Sequence, residues 1–235
     1  MSEWWTYSLS DLLMFSSSTY FRLFELHNLA LWPAQWFALG AGIALLLCLL
    51  HGGERAGRLA ALLLALAWIA VAWSYFAGQY ATINTAAPYY AIAFALQAVL
   101  LLWLASRRAA PRLMPPAGTL AKLALGIALL ALAAFPLLAP LGGRPWTQAE
   151  LFGLAPDPTV AFAFGALLLW RAAWPFWIVP LLWCAVTGAT LMELRSSQAW
   201  VLPLMGLAAV AIGLTARLRA RRAARPVTNR AGSPP

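Results

Sequence analysis

The residues of this chain that could bind a ligand are polar side chains spaced along hydrophobic segments. Trp68, Ala72, Tyr75 and Gln79 follow the i, i+4, i+7, i+11 spacing of one helical face. A later segment repeats the pattern, and further amides lie between the two. Together these observations predict a ligand-binding set that consists of Tyr75, Gln79, Asn84, Gln97, Thr187, Thr190 and Glu193.

Polar side chains are costly in hydrocarbon, so they usually face a bundle interior or a wet cavity. One interpretation of this set is therefore an outward-open pocket for a small ligand or ion. The other interpretation is packing, in which the same groups form interhelical hydrogen bonds of ~0.6 kcal/mol each. The spacing alone leaves both interpretations open.

Catalytic and cofactor chemistry find little support in the sequence. His27 and His51 are predicted at opposite membrane faces, so they cannot clamp one haem. The only lysine, Lys122, lies at the inner edge of an apolar segment and is no candidate for a buried Schiff base. No nucleophile accompanies either histidine, and no charge is expected inside the bundle. We therefore predict no metal, no cofactor and no enzymatic activity.

Composition excludes a water-soluble domain. The 235 residues are 63% hydrophobic and 10% charged, whereas soluble domains carry about 25% charged residues. The net charge of +9 could indicate a nucleic-acid partner. The basic residues, however, lie between and after apolar runs, which is the pattern of a membrane protein, so nucleic acid is not expected. Membrane lipids are the expected partners.

Seven apolar segments predict an all-α, polytopic membrane bundle with seven transmembrane helices. They cover residues 30–50, 59–78, 89–105, 120–141, 159–173, 175–192 and 200–216. The fifth is short for a membrane span, ~21 Å at 1.5 Å per residue. Thr147 and Glu150 resemble a capping box, which predicts a short surface helix at 148–154.

Three regions follow from this division. Residues 1–28 are predicted to form an interfacial amphipathic segment, with Trp4 and Trp5 at headgroup level and Ser18 or Thr19 as a helix cap. Residues 29–217 form the seven-helix domain, and residues 218–235 a basic, disordered cytoplasmic tail. Four arginines at the end of the last span are predicted to meet lipid at the interface: Arg217, Arg219, Arg221 and Arg222.

The arginine cluster after the last span marks the cytoplasmic side, because clustered basic residues resist translocation. Seven spans then place the N-terminus outside and the C-terminus inside. This N-out/C-in arrangement keeps 13 of the 16 basic residues inside and six of the seven acidic residues outside.

The opening stretch EWWTYSLSDLL, followed by YFRLFELHN and LWPAQ, resembles a family of bacterial inner-membrane proteins of unknown function. The residues that carry the resemblance are Trp4, Trp5, Thr6, Tyr7, Leu9, Ser10, Asp11, Tyr20, Arg22, Leu23, Phe24, Glu25, Asn28, Trp32, Pro33 and Gln35. The family pattern has Pro-Arg where this chain has Ser17 and Ser18. The resemblance implies a multi-pass location in the bacterial inner membrane and supplies no mechanism.

Two functions are expected from these observations. The first is an integral membrane protein that binds or passes a small ligand or ion through the outward-facing polar pocket. The alternative is a non-catalytic accessory or assembly subunit that pairs with other membrane-protein subunits. The sequence predicts no charged residue inside the bundle, and the chain has 13 tryptophans. Both observations favour the alternative.

Overall fold

A computed structural model describes residues 15–107 and 118–223. Over these ranges the chain is helical, without strands, which confirms the all-α prediction. The nine α-helices of the described part are α1 Ser17–Ala30, α2 Ala34–His51, α3 Gly53–Ala70, α4 Ala87–Ser106, α5 Thr119–Ala133, α6 Phe135–Leu141, α7 Pro156–Leu169, α8 Pro175–Glu193 and α9 Val201–Ala223. Helix α3 continues into a π-helix, Val71–Gln79, and a 3-10 turn, Tyr80–Thr82.

Five helices in the described ranges are long and apolar enough to cross a membrane: α2, α3 with its continuation, α4, α8 and α9 with the 3-10 turn before it. Helices α5 and α6 form a sixth candidate if they count as one span, bent by 48°. The bend falls beside Pro136, which has no N–H to donate within the helix. Helix α7 has 14 residues and falls short of a span by length. The described ranges thus contain five or six candidate spans, and the seventh stays a prediction.

Helix α7 lies at the centre of the molecule. Helices α2, α3, α4, α8, α9 and α5 each contact the next, and α5 returns to α2, so that they form a closed ring. All 14 residues of α7 are buried inside this ring. Such a helix needs no polar face and no length matched to hydrocarbon, which explains why the fifth apolar segment is short.

Helix α7 approaches α5 of the ring closely at Gly165. A Cβ atom added at Gly165 would lie 2.5 Å from the carbonyl oxygen of Ala124 and 3.0 Å from the Cβ of Ala128. Small residues allow backbones to approach this closely and to gain dispersion contacts along both helices. The position therefore requires glycine for steric reasons.

The two ends of the bundle differ in charge. At one end, here called the basic end, Arg58 donates to the carbonyl of Arg107, and Arg217 donates to the carbonyl of Ala172 at 2.8 Å. The opposite end carries α1, residues 142–155 and the turn between α8 and α9, and is here called the α1 end. Most described acidic residues lie there: Glu25, Glu150, Asp157 and Glu193.

Helix α1 packs on the bundle and does not lie with its apolar face free. Its cap is Ser16, whose hydroxyl accepts from the backbone N–H of Thr19 at 3.2 Å, and not Ser18 or Thr19 as predicted. Phe24 and His27 are among the residues that it buries against the other helices. Part of the predicted interfacial segment 1–28 is helix α1, which extends to Ala30 and packs as a lid on the bundle. Trp4 and Trp5 lie outside the described residues.

The chain after the last apolar segment is also more helical than predicted. Helix α9 continues to Ala223, so residues 218–223 are helical. Arg219, Arg221 and Arg222 are exposed on its last turns, and their role toward lipid stays a prediction. Residues 224–235 of the predicted tail lie outside the described part.

The contact between α5 and α7 makes a first prediction. Gly165→Ala should destabilise the protein by about 1–3 kcal/mol, because the new methyl group meets backbone atoms that cannot move aside easily. Thermal unfolding in detergent micelles measures the effect.

Gly126→Ala on α5 is the matched control, since a Cβ there has no heavy atom within 4 Å. Alanine favours a helix over glycine by roughly 1 kcal/mol, so the control should be neutral or stabilising. Equal midpoints for the two variants would contradict the close packing described here.

Candidate functional site

The seven residues predicted to line one pocket lie in separate environments. Gln97 is fully buried and donates its amide to the carbonyl of Phe176 at 3.1 Å, in the first turn of α8. Thr187 lies 11 residues further along α8, roughly 16 Å away, and donates to Asp157. Tyr75 is enclosed by aromatic rings at the α1 end. These three side chains face different closed interfaces.

The other members of the set line no common cavity either. The Asn84 side chain accepts from the backbone N–H of Ala86 at 2.8 Å and thereby stabilises a turn. Gln79 and Thr190 are half-buried, and Glu193 is exposed. The expectation of one shared, outward-open pocket is therefore corrected. The reason is that these side chains lie at different heights and on different faces of their helices, which helical spacing within one helix does not reveal.

The structure instead places a pair of acidic side chains inside the α1 end. Asp157 stands in the first turn of α7 and is buried. Trp183 donates to one of its carboxylate oxygens at 2.7 Å, and Thr187 donates to the other at 3.0 Å. The N-terminus of α7 adds a favourable dipole. Two donors and a helix N-terminus together favour the charged form of Asp157.

Glu150 is the second buried acid. The predicted surface helix at 148–154 is absent: a 3-10 turn covers Trp146–Gln148, and the chain then enters the protein interior. No described residue donates a hydrogen bond to the Glu150 carboxyl. Burial raises its pKa, the negative charge of Asp157 raises it further, and the positive charge of Arg144 opposes both effects.

The pair therefore has one acid suited to carry charge and one suited to carry a proton. Two neighbouring buried carboxylates repel each other, so they do not both ionise readily. Asp157 has hydrogen-bond donors for its oxygens, whereas Glu150 has none among the described residues. This division predicts that near neutral pH the proton resides mainly on Glu150.

Aromatic rings cover the pair on the side of α1. Tyr75, in the π-helix, stacks on Phe24 at 5.2 Å and on Tyr80 at 5.7 Å between ring centroids, and His27 meets it edge-on at 5.6 Å. The Tyr75 hydroxyl and His27 Nε2 are buried, and neither has a hydrogen-bond partner of good geometry among the described residues. Burial lowers the pKa of His27 to about 4, so this imidazole is neutral near pH 7.

Residues of the opening stretch hold this arrangement in place. Asn28 donates to the carbonyls of Thr147 and Ala149, at 2.8 and 2.9 Å. Gln35 donates to the carbonyl of Asn28 at 2.5 Å. Through these bonds α1 fixes the segment that carries Glu150, and it closes the α1 end over both acids.

This site differs from the prediction made from the sequence, which places Glu150 and Asp157 in an external loop, places His27 at the outer surface and has no buried charge. The structure corrects all three assignments. One available signal was Asp157 between Pro156 and Pro158, at the start of a wholly apolar helix. The buried acids also remove one of the arguments against an enzyme, so the absence of enzymatic activity stays a prediction.

Among the residues that the structure describes, no three His, Cys, Asp or Glu side chains cluster closely enough to hold a metal ion. The chemistry that the site offers without a metal is proton binding, hydrogen bonding and attraction of positive charge. The expectation that the protein needs no metal or cofactor stays a prediction.

The fold and the site define a class of protein: an all-helical bundle with several helices long and apolar enough to span a membrane, and a buried acid pair at one end. Residues 17–224 match the model of DUF6064, a family of unknown function. The chain belongs to this family, which confirms the predicted resemblance to a family of unknown function. No curated protein and no solved structure matches it.

The raised pKa of Glu150 makes the stability of the protein depend on pH. The folded state binds this proton more tightly than the unfolded chain does, so its contribution is complete below the ordinary carboxyl pKa of 4.5. The contribution is lost as pH rises through the raised pKa. The unfolding free energy should fall by at most about 1.4 kcal/mol per pH unit over that window.

Glu150→Gln should flatten this slope, because the amide mimics the protonated acid and does not titrate. Thermal unfolding of the wild type and the variant is measured against pH, and the two slopes are subtracted. The lowered pKa of His27 has the opposite effect on the slope, and the subtraction removes it because both proteins contain His27. Glu193→Gln, which alters an exposed side chain, is the control and should leave the slope unchanged. An unchanged slope in Glu150→Gln would contradict the assignment.

Proposed function

We propose that this chain is an integral protein of the bacterial inner membrane that crosses it seven times, with the α1 end outside. The five long helices and the bent pair α5–α6 supply six crossings. Helix α7 runs antiparallel to α8, since Asp157 meets Thr187 near the end of α8 and Phe164 stacks on Trp177 near its start. Within the ring, α7 thus supports a seventh crossing that needs no lipid-facing surface.

The charges at the two ends support this orientation. The basic end of the described part carries Arg55, Arg58, Arg107, Lys122, Arg171, Arg217, Arg219, Arg221 and Arg222. The α1 end carries only Arg22, Arg144 and Arg195 among the described basic residues. Basic residues are retained on the cytoplasmic side, so the basic end is cytoplasmic in this proposal.

Reporter fusions test the orientation. Green fluorescent protein fused after Pro235 should fluoresce, because it folds in the cytoplasm. Alkaline phosphatase inserted between Asn84 and Thr85 should be active, because the connection between Thr82 and Ala87 lies at the α1 end. Active phosphatase after Pro235 would overturn the odd number of crossings or their direction.

Within that framework we propose that the protein takes up and releases a proton at the Glu150–Asp157 pair, coupled to passage of a small ligand or ion. The observation that carries the proposal is a buried carboxyl without a described hydrogen-bond donor next to a second carboxyl held by two donors. Ionisable groups at membrane depth are costly and mark proton relays and ion pathways in other membrane proteins.

The surroundings of the pair favour a proton over a larger cation. The aromatic rings of Tyr75, Phe76 and Trp183 pack directly on one another beside the acids, with centroids 5.0–5.3 Å apart. A proton requires only a basic atom and a route, whereas a larger cation requires space between these rings. The Tyr75 hydroxyl and His27 Nε2, which lack a well-placed partner among the described residues, are candidates for such a route.

Infrared difference spectroscopy on the protein in lipid bilayers tests the proposal. Wild type should show the carbonyl band of a protonated carboxylic acid that disappears as pH rises through the raised pKa of Glu150. Glu150→Gln should abolish the band. Asp157→Asn should move its midpoint to lower pH, because the substitution removes the negative charge that raises the pKa of Glu150. Glu54→Gln, at the basic end, should change nothing.

Proton flux in liposomes then tests transport itself. Wild type should dissipate an imposed pH gradient faster than Glu150→Gln does, and Glu54→Gln should match wild type. If the infrared band titrates but no proton flux is measured, the proton site is supported and the proposed transport is contradicted. Absence of the band in wild type would overturn the proton site.

The alternative role as an accessory subunit of a larger membrane complex stays a prediction. Proton flux through liposomes that contain only the purified chain would favour a protein that transports by itself. If flux requires membranes that contain other proteins, the accessory role gains support, and purification in mild detergent should then recover a complex.

A further inference from the structure

The α1 end contains a second feature of opposite charge, a polar cavity of about 600 Å³. Its walls come from the start of α1, from residues 142–148 and from the turn between α8 and α9. The side chains that matter for its chemistry are Arg144, Arg195, Ser17, Ser18, Ser196 and Ser197. None of them belongs to the acid pair.

Arg144 is held rigidly at this cavity. Its guanidinium carbon lies 3.7 Å from the centroid of the Phe21 ring, and its Nη2 donates to Gln198 at 2.7 Å. Gln198 is itself fixed, because its amide donates to the carbonyl of Leu138 at 2.6 Å. The remaining terminal nitrogen, Nη1, is buried and has no acceptor in the part of the chain that the structure describes. A buried charged donor without an acceptor is costly, and an anion would satisfy it.

Arg195 adds a second positive charge from the other wall. It follows α8 with φ of 52°, the left-handed conformation that usually selects glycine at the end of a helix. Arginine is disfavoured there, so the fold gains nothing from its backbone at this position. What arginine adds over glycine is a side chain that lines the cavity.

The cavity also offers neutral donors. Ser17 and Ser18 lie in the first turn of α1, where backbone N–H groups lack helical partners and the helix dipole is positive. Ser196 and Ser197 contribute hydroxyl groups from the opposite wall. Hydroxyls and guanidinium groups together suit an oxyanion better than they suit a halide, because several oxygens can each accept a hydrogen bond.

Neighbouring acids do not neutralise the two arginines. In the described part of the chain, no carboxylate oxygen lies within 4 Å of either guanidinium group. The ion pair in these residues joins Arg58 to Glu54 at the basic end, far from the cavity. Glu150 interacts with Arg144 electrostatically from the interior, Glu25 accepts from Gln148, and Glu193 lies two residues before Arg195. The cavity retains two guanidinium groups for a ligand.

We propose that this cavity binds a phosphate group, carried either by an anionic lipid headgroup or by a soluble phosphate. Arginine forms paired hydrogen bonds with phosphate oxygens, and the volume accommodates a phosphate with its substituent. The proposal does not rest on proton binding at Glu150 and Asp157.

The test measures the thermal unfolding midpoint of the full chain in nonionic detergent. One arm titrates inorganic phosphate against sodium chloride at equal ionic strength. The other arm adds phosphatidylglycerol to the micelles and counts the lipid molecules retained by native mass spectrometry. A saturable rise of the midpoint in the first arm alone assigns a soluble phosphate. Retention of one lipid that inorganic phosphate displaces assigns the headgroup.

Two variants make the result specific. Arg144→Gln should weaken binding roughly tenfold to hundredfold, the range expected for hydrogen bonds to a charged group. Arg195→Gly should also weaken binding, yet raise the unfolding midpoint without ligand, because glycine accepts a φ of 52°. Loss of binding in a more stable variant cannot come from misfolding.

Arg219→Gln, on the exposed end of α9, is the control and should bind like wild type. The proposal is overturned if neither phosphate nor phosphatidylglycerol acts beyond the chloride control. It is overturned equally if both cavity variants bind as tightly as wild type, or if Arg219→Gln weakens binding as much as they do.

Discussion

The structure depends on the complete enclosure of α7 by the other helices. Gly165 lets α5 approach the backbone of α7, and a Cβ at Gly206 on α9 would lie 3.0 Å from Cys184 on α8. These close approaches give the central helix protein contacts on every side. Its length is therefore set by the ring and not by a bilayer, and its two ends lie inside the molecule, where the chain must still satisfy polar groups.

The acid pair follows from that enclosure. A buried helix start has backbone N–H groups that need acceptors and a positive dipole that favours negative charge. Asp157 places a negative charge at this dipole, and α8 supplies Trp183 and Thr187 as donors to its carboxylate. The segment that precedes α7 must also run from the surface into the interior, and it therefore buries Glu150 near Asp157. Helix α1 covers this segment, and Asn28 of α1 donates hydrogen bonds to its carbonyl groups at Thr147 and Ala149.

Much of the fold could be predicted from hydrophobic segments. The seven apolar runs correspond to α2, α3, α4, α5 with α6, α7, α8 and α9, because length and apolar content are local properties. The break at Pro136 was predictable for the same reason. The central place of α7 was not, since a buried helix and a lipid-facing helix read alike in composition. Only the packing of six other helices distinguishes them.

The site was less predictable because its contacts join distant parts of the chain. Asn28 and Thr147, which position Glu150, are 119 residues apart, and Thr187 lies 30 residues beyond Asp157. Helical spacing correctly placed Tyr75 on a buried face, yet it could not show that α1 covers that face. Charged residues in a connecting segment ordinarily indicate exposure to water. In this chain the same charges lie beneath a lid whose sequence precedes the first apolar span, so their burial is a tertiary property.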